Sequence, residues 1–91
     1  MMFRVEAKKK ALKALEKLSL ERKNRIKEVM LTLKGDPIPF RKFDVVKLRG
    51  YENVYRIRIG DLRIVYEVDW SGRRILIHFI GSRGRAYRRR L

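Results

Sequence analysis

The most regular pattern of apolar and polar positions lies in residues 54–68. Tyr55, Ile57 and Ile59 alternate with Arg56 and Arg58; beyond Gly60-Asp61, Leu62, Ile64, Tyr66 and Val68 alternate with Arg63, Val65 and Glu67. A period of two marks half-buried strands, and glycine accepts the positive φ of a tight turn, so the two runs predict an antiparallel hairpin. One face of it is committed to a core, and the other presents Arg56, Arg58 and Arg63 together.

Weak alternation over residues 2–6, with Phe3 and Val5 pointing one way, predicts a short first strand. Ala7, Ala11, Ala14, Leu15 and Leu18 then recur at helical spacing among lysines, which predicts an amphipathic helix over 7–18 with a thin alanine face. Ser19 is placed to cap a second helix carrying Glu21 in its first turn, an apolar stripe of Leu20, Ile26, Val29, Met30 and Leu33, and a stop at Gly35 and Pro37. Asp36-Pro37-Ile38-Pro39 is a stiff connector that Phe40 and Phe43 are expected to pin to the core. Residues 45–48 form another strand. Residues 74–80, almost continuously apolar, form a last one expected to be central in the sheet. Helices grouped early and strands grouped late give an α+β fold: a helical hairpin on one face of a curled, mainly antiparallel sheet whose other face is open. A chain of 91 residues makes this one domain, 1–91.

Charge changes the picture more than length does. The net charge is +15, and the residue types are unevenly spread: residues 1–39 carry mostly lysine, residues 40–91 mostly arginine. Arginine's planar fork grips phosphate through two parallel N–H donors, so the second part is where specific phosphate contact is expected. The plain alternative is that Arg56, Arg58 and Arg63 only keep a sheet face soluble. Against it, like charges facing each other across strands are unfavourable, and Glu67 alone supplies the other sign. After Gly81 the chain is basic without relief, with Arg83, Arg85, Arg88, Arg89 and Arg90 and no acid. Cysteine is absent, which removes disulfides and thiolate chemistry and suits a cytoplasmic location; neither a signal peptide nor a membrane span is expected.

The inventory for catalysis is thin. His78 is the sole histidine and is expected to be structural, the carboxylates lack metal-ligand spacing, and neither a phosphate loop nor a catalytic triad is present. Neither a metal nor another cofactor is called for. Arginines and tyrosines remain, Tyr87 chief among the latter. RNA brings its own nucleophile in the 2′-hydroxyl, so a site that aligns the backbone and neutralises developing charge can cleave it. Tyr87, with an ordinary pKa of about 10, could serve as a base only if arginines stabilised its phenolate, and it could equally stack on a base. From the residues alone, a nucleic-acid binder is the better-founded reading and a nuclease the sharper one.

Lys47-Leu48-Arg49-Gly50, the run from Tyr55 through Tyr66, and Gly81-Ser82-Arg83 followed by Tyr87 together resemble the pattern of RelE-type toxins of the RelE/ParE toxin–antitoxin superfamily. Leu62 stands where the family usually has tyrosine, and Ser82 where many relatives carry His or Lys. The resemblance implies a RelE-like fold and a ribosome-dependent endoribonuclease that cleaves mRNA in the A site without a metal and so inhibits translation. It implies catalytic roles for Arg56, Arg58, Arg63, Arg83 and Tyr87, and RNA contacts for Lys47, Arg49, Arg85, Arg88, Arg89 and Arg90. The implied partners are the ribosome with its mRNA and an acidic, RelB-like antitoxin. A non-catalytic RNA- or ribosome-binding module and a gyrase-directed, ParE-like toxin are the competing functions.

Overall fold

A computed structural model describes residues 2–82 and orders them as β1 (Arg4–Ala7), α1 (Lys9–Glu16), α2 (Leu20–Gly35), β2 (Asp44–Lys47), β3 (Val54–Ile59), β4 (Leu62–Asp69) and β5 (Arg74–Ser82). The strands form one open, mixed sheet in the order β1-β5-β4-β3-β2. β1 runs parallel to β5 and every other neighbour is antiparallel. β5 does lie inside the sheet, but β4 holds the middle. Both helices cover one face, as the alternation in β3 and β4 requires.

That covered face is the core. Ile57, Ile64, Tyr66, Ile75 and Ile77 are fully buried against Ile26, Val29 and Leu33 of α2, while Ala11 lets α1 lie close to β5. The three α2 residues fall at i, i+3 and i+7, the stripe expected of a helix with one buried side. Ser19 caps this helix through its Oγ, which accepts from the Arg22 amide. Leu20, at the first helical position, departs from the expected stripe and is exposed.

The connector after α2 also departs from expectation at one residue. The amides of Lys42 and Phe43 both bond the Pro39 carbonyl, a turn that directs Phe40 outward, where it is exposed. Pro39 is buried in its place and Phe43 packs on the core. The Tyr66 hydroxyl fastens the segment by donating to the Pro37 carbonyl at 2.7 Å. Burial, with Tyr55 and Asp36 adding to it, pushes the Tyr66 phenol well above its ordinary pKa, which keeps that proton in place as a donor.

At the β3–β4 turn, Gly60 has φ +61°, as a tight hairpin needs. Asp61 ties the turn to α2 by accepting from two nitrogens of Arg22, Nε at 3.2 Å and Nη2. Hydrogen bonding from Arg22 holds the Asp61 carboxyl below its ordinary value despite an opposing contribution from desolvation. A depressed carboxyl contributes stability that is present above its unfolded pKa and lost as the pH falls through the folded one. Asp61→Asn is therefore expected to lower the thermal midpoint at neutral pH, with the two proteins converging below about pH 4 in a series of melts.

Candidate nucleic-acid interface

The uncovered face of the sheet is a set of rows fixed by strand register. The first row, nearest the β3–β4 turn, reads Asp44, Arg58, Arg63, Gly81 from β2 to β5, and the second reads Val46, Arg56, Val65, Phe79. Three of the arginines singled out from the sequence thus share one surface on two neighbouring strands. Arg58 and Arg63 stand directly opposite each other, a like-charge pairing that is unfavourable unless something offsets it.

Asp44 offsets part of it. Its carboxylate lies 2.9 Å from Arg58 Nη2 and 3.5 Å from Arg56 Nη2, so one acid on the edge strand holds two guanidinium groups side by side. Arg56 is the more enclosed of the two, with 16% of its side chain exposed and its buried Nε without a hydrogen-bond partner. Arg63 is half-buried and is paired with no carboxylate among the described residues. Gly81 is opposite it, and a Cβ there would come within 2.6 Å of the Phe79 ring, so the glycine is what lets that ring lie along the strand.

Further from the turn carboxylates appear among the side chains of the open face. One row reads Val54, Glu67, Leu76, Glu6 and the next Asp69, Arg74, Arg4. The register of β4 and β5 slips between Val65 and Tyr66, where Phe79 and Ile77 are the respective partners, leaving His78 as an extra residue in a bulge. The bulge points His78 along the open face, and its Nε2 lies 2.9 Å from Glu67 Oε1 while Nδ1 is buried without a partner.

The other residues singled out fall elsewhere. Lys47 is paired with Tyr55, which alternation assigns to the helix-covered side, and it is exposed at the edge of the sheet. Arg49 sits in the turn after β2. Arg83, Arg85, Tyr87, Arg88, Arg89 and Arg90 lie outside the described residues. Asp44 was not singled out from the sequence, although it is the sole acid between Asp36 and Glu52, and its place opposite Arg58 depends on a register that local pattern does not reveal.

Chemically, the first two rows offer forked donors for a polyanion, with Phe79 partly exposed beside them and Val65 buried beneath. Among the described residues, no group of three or more His, Asp or Glu is placed to share a metal ion, and no helix is long and apolar enough to cross a membrane.

The chain is similar to known proteins over nearly its whole length. The profile of the ParE toxin of type II toxin–antitoxin systems matches residues 3–87. The chain is 44% identical over 88 residues to candidate toxin RelE1 of Methanocaldococcus jannaschii, a match covering 97% of this chain and 98% of the other. Its fold is similar to a chain of the crystal structure of the archaeal RelE-RelB complex from Pyrococcus horikoshii OT3, with a TM-score of 0.83, 40% identity, and coverage of 94% of this chain and 100% of that one. A chain of the RelB-RelE antitoxin-toxin complex from Methanococcus jannaschii gives a TM-score of 0.74 at 29% identity, covering 91% and 95%.

Proposed function

The chain belongs to the RelE/ParE family of toxins from type II toxin–antitoxin systems, and from that membership we propose that it is a ribosome-dependent endoribonuclease that cleaves mRNA in the A site. It acts in the cytoplasm and arrests translation until an acidic, RelB-like antitoxin binds it. The observation that carries this reading is the opposition of Arg58 and Arg63 across the hairpin with Arg56 one row away, three cations held on one open surface where a phosphodiester can reach them all. Unfavourable on its own, such a pairing becomes favourable once a polyanion binds across it.

In the proposed reaction the 2′-hydroxyl of the RNA gives up its proton to solvent or a basic side chain and bonds to the adjacent phosphorus, while the bond to the 5′-oxygen of the next nucleotide breaks and that oxygen takes up a proton. The guanidinium groups hold the phosphate in line and absorb the negative charge that grows on its oxygens, work that positioned cations do without a metal. Arg83 and Tyr87, which follow β5, are the further groups assigned to this site by family resemblance, with Arg85 beside them. The antitoxin reading draws on the relatives crystallised with RelB from P. horikoshii and M. jannaschii and on the net charge of +15, which favours an acidic partner.

The test is primer extension on ribosome-bound mRNA with purified toxin. Cuts within the A-site codon that disappear on adding the antitoxin are expected, and that Arg83→Ala reduces. Equal products from wild type and Arg83→Ala, or intact message with inhibited gyrase supercoiling, would reject the assignment.

Asp44 makes a separate prediction. It competes with phosphate for Arg56 and Arg58, so Asp44→Ala should bind non-cleavable, 2′-O-methylated RNA more tightly at low salt. The slope of log affinity against log salt should steepen by about 0.7 for each additional phosphate contact. An unchanged slope would mean that the carboxylate does not hold those arginines back.

A further inference from the structure

The arginine rows can hold an RNA backbone, but phosphate contacts carry no sequence information. On the same open face, beyond the second row, lies a cavity of about 540 Å³ whose walls include Glu6, Asn53, Glu67, Trp70, Arg74 and Leu76. We propose that this cavity is a nucleobase subsite in which an unstacked guanine lies on Trp70 and is read by Glu67 and Asn53. The inference rests on the RNA-binding reading of the arginine face and deepens it.

Three observations support the subsite. Trp70 is 46% exposed although it is the largest apolar side chain available, and it is held rather than loose: Phe3 packs edge-on against it at 5.7 Å and its Nε1 donates to Asn53 Oδ1 at 3.2 Å. An exposed, fixed indole is the platform on which proteins stack single-stranded bases. Second, the bonds already made leave a defined set of free groups. Asp69 accepts from the Gly72 amide, Ser71 and Arg74, and Glu6 is paired with Arg4. Glu67 uses Oε1 for His78 and retains Oε2, while Asn53, its oxygen engaged by Trp70, retains its amide N–H donors. Oε2, with lone pairs for two donors, beside the Asn53 amide donor complements an edge with two adjacent donors and one acceptor. Guanine alone among the four bases has that edge in N1–H, the N2 amine and O6.

Third, the spacing suits one strand of RNA. Arg56 is opposite Val65, and Glu67 is two positions further along β4, about 7 Å away. A backbone held by Arg56, Arg58 and Arg63 presents a base to the cavity, where the carboxylates of Glu6 and Asp69 are already paired with Arg4 and Arg74.

Trp70 is the chain's single tryptophan, so its fluorescence reports the cavity directly. The full-length toxin is titrated with the 2′-O-methyl trinucleotides UUG and UUU, which cannot be cleaved, and binding is read both by quenching and by anisotropy of labelled oligonucleotide. UUG is expected to quench at about tenfold lower concentration than UUU. Glu67→Ala should erase that preference while quenching persists, and Trp70→Leu should weaken UUG in the anisotropy measurement. Equal binding of the two oligonucleotides by the wild type, or a preference that survives Glu67→Ala, would overturn the subsite and leave the arginine face standing. Binding of neither would overturn both. Silence toward RNA with quenching by an arginine-rich peptide would overturn it in favour of a basic protein ligand.

Discussion

Arg63→Ala is expected to reduce cleavage of ribosome-bound mRNA by about 10²- to 10³-fold, the loss typical when one positioned donor is removed from a developing oxyanion. The same change should leave the thermal midpoint unaltered or slightly raised. Arg63 faces Arg58 across the hairpin and is paired with no carboxylate among the described residues, so deleting it relieves repulsion that the folded protein otherwise tolerates. Lys13→Ala, a deletion of equal charge on the exposed side of α1, should alter cleavage little and serves as the control for net charge. Undiminished cleavage by Arg63→Ala, or a loss no larger than that of the control, would remove this side chain from the reaction.

Its immediate neighbour in the chain should behave in the opposite way. Ile64 is fully buried on the helix-covered side of the middle strand, paired with Ile57 and Ile80. Ile64→Ala leaves a cavity there and is expected to cost about 3 kcal/mol. In a domain of this size that corresponds to a fall of about 15 °C in the thermal midpoint, a large share of the stability such domains possess. The specific activity of the fraction that remains folded should change little, because the residue contributes nothing to the open face. A melt within a degree or two of wild type would contradict the packing described for β4.

These adjacent residues show what could be read without coordinates. The hairpin of β3 and β4, its glycine turn and the division of Arg56, Arg58 and Arg63 from Ile57, Ile59, Ile64 and Tyr66 all follow from alternation within a short stretch. Ser19 and Gly35 likewise marked helix ends by local chemistry. What escaped depends on segments distant in sequence. Leu20 has the periodicity of a core residue and Phe40 the hydrophobicity of one, but whether an apolar side chain is covered depends on which segments pack over it and how a turn is bonded. Asp44 reaches the arginines only because β2 takes a particular register against β3, and Glu6 joins Trp70 and Asn53 around one hollow only because β1 does so against β5. Nothing in the order of residues specifies those pairings locally.

The parallel pairing of β1 with β5 also bears on how the chain is made. Arg4 lies beside Arg74 and Ala7 beside Ile77, so the strand synthesised near the beginning completes its hydrogen bonds only with the one synthesised near the end. Closing so long a loop is entropically slow and cannot begin while β5 is still inside the exit tunnel. A nascent chain with β5 still in the tunnel therefore lacks an inner strand of its sheet and the stretch of open face that β5 supplies.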